Sequence, residues 1–171
     1  VTWEPMPDNN IQAPAAVAAS SGVVSLERAH FENTGRYGVT SSLSSQVSLA
    51  EVVVRSSTDT GLLLFRSDAQ LDTVLVQDVT GSGIIGAGPN FSLQAFDVTV
   101  EGVTMSSQSG CAQTNSGGYG LVVLGGQTTI DGFRLTANQS AGLMLVNTIG
   151  NWLLPDFAQA SPTIYAANGE V

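Results

Sequence analysis

The sequence predicts an all-β solenoid, in which short parallel strands coil around one core, and three observations support this fold class. A glycine followed by apolar residues recurs at intervals of 23, 22, 37 and 22 residues; the glycines are Gly38, Gly61, Gly83, Gly120 and Gly142. An apolar triplet with fixed spacing precedes each of these glycines. Gly, Ser, Thr, Val and Leu are abundant and only 11% of residues are charged, which is typical of strands and turns.

Each repeat contains two short segments with apolar residues at alternate positions, separated by a turn of Asn, Thr, Ser, Asp and Gly. The predicted triplets are Leu26/Ala29/Phe31, Leu49/Val52/Val54, Leu71/Val74/Val76, Leu93/Phe96/Val98 and Ile130/Phe133/Leu135. A unit of about 22 residues cannot bury its own apolar face, so the units must stack as rungs ~4.8 Å apart. With both irregular ends counted, we expect about seven rungs.

We assign residues 1–171 to a single β-helix domain. Residues 1–20 are expected to form an N-terminal cap or a degenerate rung, because terminal repeats are often atypical. Residues 102–118 are an insertion loop that lengthens one interval, and residues 149–171 form a last rung or a cap. Both ends of the chain resemble repeat sequence, so we expect a segment of a larger protein.

Two other solenoids have related periods. A leucine-rich repeat expects Asn three residues after the last apolar position, and among five copies only Asn138 satisfies this. The segment after each glycine also lacks a helical pattern, so the leucine-rich repeat is the less favoured alternative. A left-handed hexapeptide coil would need a strict interval of six residues, which the sequence lacks.

The units resemble the rungs of right-handed parallel β-helices of the pectin-lyase-like superfamily. The similarity is clearest in Gly61-Leu62-Leu63-Leu64-Phe65-Arg66-Ser67, followed by Val74-Leu75-Val76-Gln77-Asp78. This resemblance covers nearly the whole chain and implies a right-handed coil. Lyases, hydrolases, epimerases, adhesins and plain spacers all share the superfamily, so the resemblance does not imply one activity.

The charge balance limits the partners. The chain has a net charge of −9, five arginines and no lysine, so it repels phosphate backbones and anionic membrane surfaces. We therefore expect no nucleic-acid partner. No apolar run reaches 18 residues, so we expect no membrane insertion. The resemblance to surface β-helices implies an extracellular or cell-surface location. We expect no metal site and no cofactor. The single Cys111 excludes an internal disulfide framework, and without a nearby His or cation it is not expected to be a nucleophile.

One outward face is unexpectedly apolar. Positions two and four after each glycine should point outward, and they include Leu63, Phe65, Ile85, Val122, Leu124 and Met144. An exposed sheet does not normally carry such side chains together, so something should cover it. Candidates are the alanine-rich segment 13–19, the insertion, or another subunit. We therefore predict a structural or adhesive module that self-associates or binds a protein partner through this sheet.

The alternative is a carbohydrate-active lyase, hydrolase or epimerase that uses Asp97, Asp131 and Arg134. Asp97 and Arg134 are predicted to be neighbours on adjacent rungs. Asp72 and Asp131 should lie two rungs apart, roughly 9.6 Å, a separation that suits an inverting carboxylate pair. No aromatic platform is expected beside them.

The motifs of pectate lyases and polygalacturonases are missing. No Asp-Asp pair exists, and His30 precedes Phe31 instead of a glycine. We therefore predict no catalytic residue for the structural module. Asp97, Asp131 and Arg134 are candidates only if the chain is a carbohydrate-active enzyme.

Overall fold

The computed structural model describes residues 2–3, 15–106, 116–146, 148–152 and 164–167. Within these ranges the chain is all-β, and its parallel strands stack as a solenoid of about five turns. The predicted fold class is confirmed, but the predicted count of seven was wrong. The described residues at the two ends, Thr2–Trp3 and Ile164–Ala167, each contribute one strand to the stack and do not make up a whole turn. The right-handed winding stays a prediction.

The described strands in chain order are β1 (Thr2–Trp3), β2 (Ala15–Ser20), β3 (Val23–Glu27), β4 (His30–Glu32), β5 (Tyr37–Ser42), β6 (Gln46–Arg55), β7 (Thr60–Phe65), β8 (Asp68–Gln77), β9 (Ser82–Ala87), β10 (Ser92–Glu101), β11 (Met105–Ser106), β12 (Ser116–Gly117), β13 (Tyr119–Leu124), β14 (Gln127–Thr136), β15 (Ala141–Val146), β16 (Ile149–Trp152) and β17 (Ile164–Ala167). Strands β2, β5, β7, β9, β13, β15 and β17 form one seven-stranded sheet, which we call face 1, and β5, β7, β9, β13 and β15 carry the predicted glycines. Strands β1, β3, β4, β6, β8, β10, β14 and β16 form an eight-stranded sheet. Strands β11 and β12 pair separately as a short antiparallel hairpin.

The eight-stranded sheet is bent along its middle, so the coil has three faces. The bend is made by one residue per turn in the left-handed region, with φ between 48° and 64°: Arg28, Glu51, Thr73, Asp97 and Gly132. We call the half before the bend face 2 and the half after it face 3. At the bend the ladder continues, because Arg28 N–H donates to the carbonyl of Ala50 at 3.0 Å.

The core consists of alternate side chains from all three faces. In one turn Val47 and Leu49 point inward from face 2, and Val52 and Val54 from face 3; each is at most 2% exposed. Adjacent turns place like residues in register, as in Leu49↔Leu71. Burying each such side chain favours the folded state by about 1.5–3 kcal/mol.

The fourth predicted triplet was wrong by two residues. Ala95 pairs with Leu71 and with Ile130, so the inward set of this turn is Ala95, Val98 and Val100. The turn between β9 and β10 contains four residues, whereas the turn between β7 and β8 contains two, and the extra pair shifts the register. Leu93 is also buried, at an earlier position on face 2, which explains the misassignment.

The glycines that lead the face 1 strands are required by close packing. A Cβ on Gly61 would lie against a methyl group of Val76 and 2.7 Å from the carbonyl oxygen of Gly83 on the next turn. Gly38, Gly83 and Gly120 are constrained in the same way, each with the next glycine's carbonyl oxygen 2.6–2.7 Å from its would-be Cβ. Only a residue without a side chain allows the corner between faces 3 and 1 to close at this spacing.

The core also contains paired hydroxyl groups. The hydroxyls of Thr34 and Ser57 lie 2.7 Å apart at the corner that follows face 3, and both residues are buried. In the next turns Val79 and Val103 occupy this position. The two hydroxyls therefore satisfy each other in an otherwise apolar column.

The predicted ends and insertion are described only in part. Residues 4–14, 107–115 and 153–163, which include Cys111, lie outside the described residues. The alanine-rich segment does not cover face 1, because its described part is β2, which pairs with β5 inside that sheet. The insertion leaves and returns through the hairpin β11–β12, next to the start of β13.

We expect Gly61→Ala to lower the free energy of unfolding by about 1–3 kcal/mol, because the new methyl group has no room beside Val76. Urea denaturation followed by circular dichroism measures this loss. Gly22→Ala is the matched control, since its Cβ would meet no atom closer than 4.0 Å. Equal losses in the two variants would contradict the proposed role of the glycine column.

We expect Ser57→Ala to cost about 1–3 kcal/mol, because the buried hydroxyl of Thr34 loses its partner. The double variant Thr34→Val/Ser57→Ala should recover most of that loss, since other turns hold valine at this position. Thermal unfolding of the four proteins gives the coupling. Simple addition of the two single losses in the double variant would show that the hydroxyls are independent.

Candidate functional site

Face 1 presents two outward columns that run along the coil. The register aligns Thr40, Leu63, Ile85, Val122 and Met144 in the first column. It aligns Phe65, Ala87, Leu124 and Val146 in the second, and Ser42 is at the same position in β5. The structure thus brings all six residues of the predicted apolar surface onto one sheet.

The six residues differ in how much they expose. Phe65 and Leu124 are 39% and 41% exposed, whereas Leu63, Ile85 and Met144 are half-buried. Val122 is only 6% exposed, because it is the smaller residue between Ile85 and Met144 in its column. Phe65 and Leu124 are therefore the most exposed of the six side chains, and Val122 is buried within the sheet.

The strands of face 1 carry no Asp, Glu, Arg or His. The ten acidic residues of the described ranges all lie on faces 2 and 3 or at corners; they are Glu27, Glu32, Glu51, Asp59, Asp68, Asp72, Asp78, Asp97, Glu101 and Asp131. The charge of this acidic chain is thus segregated from its apolar sheet. An uncharged sheet of this kind has low affinity for water and is suited to packing against another surface.

Two arginines lie at the borders of face 1. The guanidinium carbon of Arg66 lies 5.2 Å from the ring centre of Phe65, a distance at which a cation stabilises an aromatic face. On the opposite border Arg36 donates to Asp59 at 2.7 Å and lies 5.2 Å from the ring of Tyr37. Burial, assisted by the carboxylate of Asp59, raises the pKa of the Tyr37 phenol. The Tyr37 side chain is therefore uncharged at neutral pH.

The residues of the carbohydrate alternative are placed differently from the prediction. Arg134 pairs with Thr99, whereas Asp97 is the bend residue of its turn and lies opposite Gly132. The predicted neighbourhood of Asp97 and Arg134 is therefore wrong, and no ion pair joins them in the described part of the chain. The cause is the same shift of two residues that changed the fourth triplet.

The corrected register creates an arrangement that the sequence prediction missed. Phe96 pairs with Asp72 on one side and with Asp131 on the other, and it is 45% exposed on face 2. The aromatic ring thus lies between the two acids that were expected to have no aromatic neighbour. The 24-residue interval from Leu71 to Ala95 was the signal that could have revealed it.

Other sites are not apparent in the ranges that the structure describes. No group of three or more His, Cys, Asp or Glu residues could hold a metal ion there. The same ranges contain no helix with the length and hydrophobicity needed to cross a bilayer. Arg55 is half-buried on face 3, and its Nε has no hydrogen-bond partner.

Comparison of the chain with models of protein families, with curated proteins and with solved structures found no match. The solenoid fold is therefore supported by strand order and register alone.

Proposed function

We propose that this chain is a structural or adhesive β-helix module of an extracellular or cell-surface protein, which associates with protein through face 1. The observation that supports the proposal is the exposure of Phe65 and Leu124 on a sheet whose strands contain no Asp, Glu, Arg or His. Parallel sheets are normally covered on both faces, so an apolar outward face calls for a partner. The finer assignment, to the right-handed helices of the pectin-lyase-like superfamily, belongs to the same proposal.

Phe65 and Leu124 are the two protruding side chains that a partner would cover. Burying a fully exposed Phe or Leu stabilises a complex by about 1.5–3 kcal/mol, so covering the roughly two-fifths that each still exposes contributes about 1 kcal/mol per side chain. The half-buried Leu63, Ile85 and Met144 form a continuous apolar column beside Phe65 and Leu124. Surfaces with large apolar side chains at their centre and no charge are typical of interaction sites.

The rigid scaffold supports a mechanical role. Core side chains are shared between successive turns, so each turn holds its neighbours in place and the outward columns keep a fixed spacing. Such a coil displays a flat surface without a change in conformation. A flat, preorganised surface is the property that an adhesive or spacer module uses.

We expect the wild-type chain to be oligomeric, and Phe65→Ser/Leu124→Ser to be a folded monomer, because the double variant removes both contact residues of face 1. Light scattering after size-exclusion chromatography measures the mass, and circular dichroism confirms folding. Phe96→Ser is the matched control, since it removes an equally exposed ring from face 2.

A monomeric wild type would overturn self-association through face 1. The same conclusion would follow if Phe65→Ser/Leu124→Ser had the mass of the wild type. Loss of the oligomer in Phe96→Ser alone would place the interface on face 2.

A second candidate function, binding or cleavage of carbohydrate, is favoured by the placement of Phe96 between Asp72 and Asp131. An exposed ring stacks on a sugar, and carboxylates on either side accept hydrogen bonds from its hydroxyl groups. The two acids lie two rungs apart, roughly 9.6 Å, which is near the upper limit for an inverting pair. The remaining outward residues of these strands on face 2, such as Gln70 and Gln94, are polar.

If this second function holds, wild-type protein should migrate more slowly in native gels that contain a neutral polysaccharide such as dextran or hydroxyethyl cellulose. Phe96→Ser should migrate normally, because the stacking surface is lost, while Phe65→Ser should stay retarded. Identical migration of all three proteins with and without polysaccharide would exclude binding of these glycans by face 2. Release of reducing ends, abolished by Asp131→Asn, would show cleavage as well.

A further inference from the structure

We propose that the partner of face 1 is a second copy of this chain, packed face to face with the two coils antiparallel. This inference rests on the proposed function and adds the identity of the partner and its orientation. Three properties of the described residues carry it: where the charges lie, how large the sheet is, and how side-chain size changes along it.

Charge restricts how two copies can meet. Each chain carries a net charge of −9, so two copies repel each other wherever their acidic surfaces approach. Asp68 and Asp72 lie on face 2, Glu32 and Glu101 on face 3, and Asp97 at the bend between them. Face 1 has no acid in its strands, and packing through it holds the acidic faces of both copies outward. It is the side by which two such chains can associate with the least repulsion.

The sheet has the size that a stable dimer needs. The six strands that face each other in this packing, β2, β5, β7, β9, β13 and β15, cover roughly 29 Å along the coil at ~4.8 Å each, and six-residue strands span roughly 20 Å across it. The flat area is then roughly 580 Å², and side-chain relief brings the accessible area close to the ~800 Å² that each partner buries in a typical stable interface. Two sheets facing each other pack ~10 Å apart, so only their side chains must fit.

Side-chain size changes along face 1 in a way that is complementary to itself. The first strands carry small outward residues, namely Ala18 and Ser20 in β2 and Thr40 and Ser42 in β5. The later strands carry large ones, namely Val122 and Leu124 in β13 and Met144 and Val146 in β15. Parallel coils would place small residues against small and large against large, leaving a gap at one end and a clash at the other.

Antiparallel coils remove this mismatch. A two-fold axis that runs along the strands between β7 and β9 places β2 against β15 of the other copy, and β5 against β13. Every small residue then faces a large one. At the centre Phe65 faces Ala87, which has a small side chain. The contact is the same on both copies, so the assembly closes as a dimer.

The facing pair Ser42 and Leu124 provides the test, because the two residues lie far apart in one chain and face each other only between antiparallel copies. We expect Ser42→Glu and Leu124→Lys each to weaken dimerisation at least about tenfold, since each leaves an unpaired charge in the interface. The combined variant should regain affinity to within about tenfold of the wild type through two new ion pairs, and lose that gain in about 1 M salt. Sedimentation equilibrium of each variant gives the dissociation constants.

The control is Leu124→Lys/Gln94→Glu, which has the same net charge but places the acid on face 2. It should stay as weak as Leu124→Lys alone. If Ser42→Glu/Leu124→Lys is no tighter than this control, antiparallel packing is wrong, even where the wild type is a dimer through face 1. A monomeric wild type in the earlier light-scattering experiment overturns the self-association itself, so the two failures are distinguishable. Unchanged thermal unfolding of the single variants at low concentration confirms that they fold.

Discussion

The spacing of turns at the corner between faces 3 and 1 constrains everything else in this structure. The face 1 strands that follow this corner pack closely against neighbouring side chains because their glycines have no side chain: Gly38, Gly61 and Gly83 lie against valines of face 3, and Gly120 lies against Asn138. The 22- to 23-residue period follows from returning to that corner at the same place in each regular turn. Insertions are accommodated elsewhere, in the loop between β10 and β13 and in the turn before β10, without moving the glycines out of their column. The flatness of face 1, and hence its fitness as a contact surface, depends on this column.

Much of the fold could be predicted from the sequence, because glycine spacing and alternating apolar residues are local signals of a stacked coil. Strand order, the two sheets and the membership of the apolar surface all follow from them. The position of Phe96 was missed, because a turn two residues longer than its neighbours leaves two apolar residues, Leu93 and Ala95, that both fit the inward pattern. The predicted number of turns was too high for a related reason, since single strands at the ends resemble whole repeats in sequence.

The candidate surfaces were predictable to different degrees. The face 1 columns were correct because they are counted from the glycines, which fix the register. Their exposure was not predictable, since the burial of Val122 and the protrusion of Leu124 depend on neighbours from other turns. Asp97 was misplaced relative to Arg134 because its register was counted across the irregular turn, whereas Asp72 and Asp131 lie two rungs apart as predicted. Strand pairings between neighbouring rungs can be counted from the sequence only where the connecting loops have the same length in each rung.

The bend between faces 2 and 3 determines where the coil starts to unfold. Arg28, Glu51, Thr73 and Asp97 hold a left-handed backbone that costs such residues about 1 kcal/mol each, and only the turns above and below hold them there. A terminal turn has such a neighbour on one side alone. Unfolding should therefore start at the two terminal turns and advance inward one turn at a time. The segment formed by β6, β8 and β10 should unfold last.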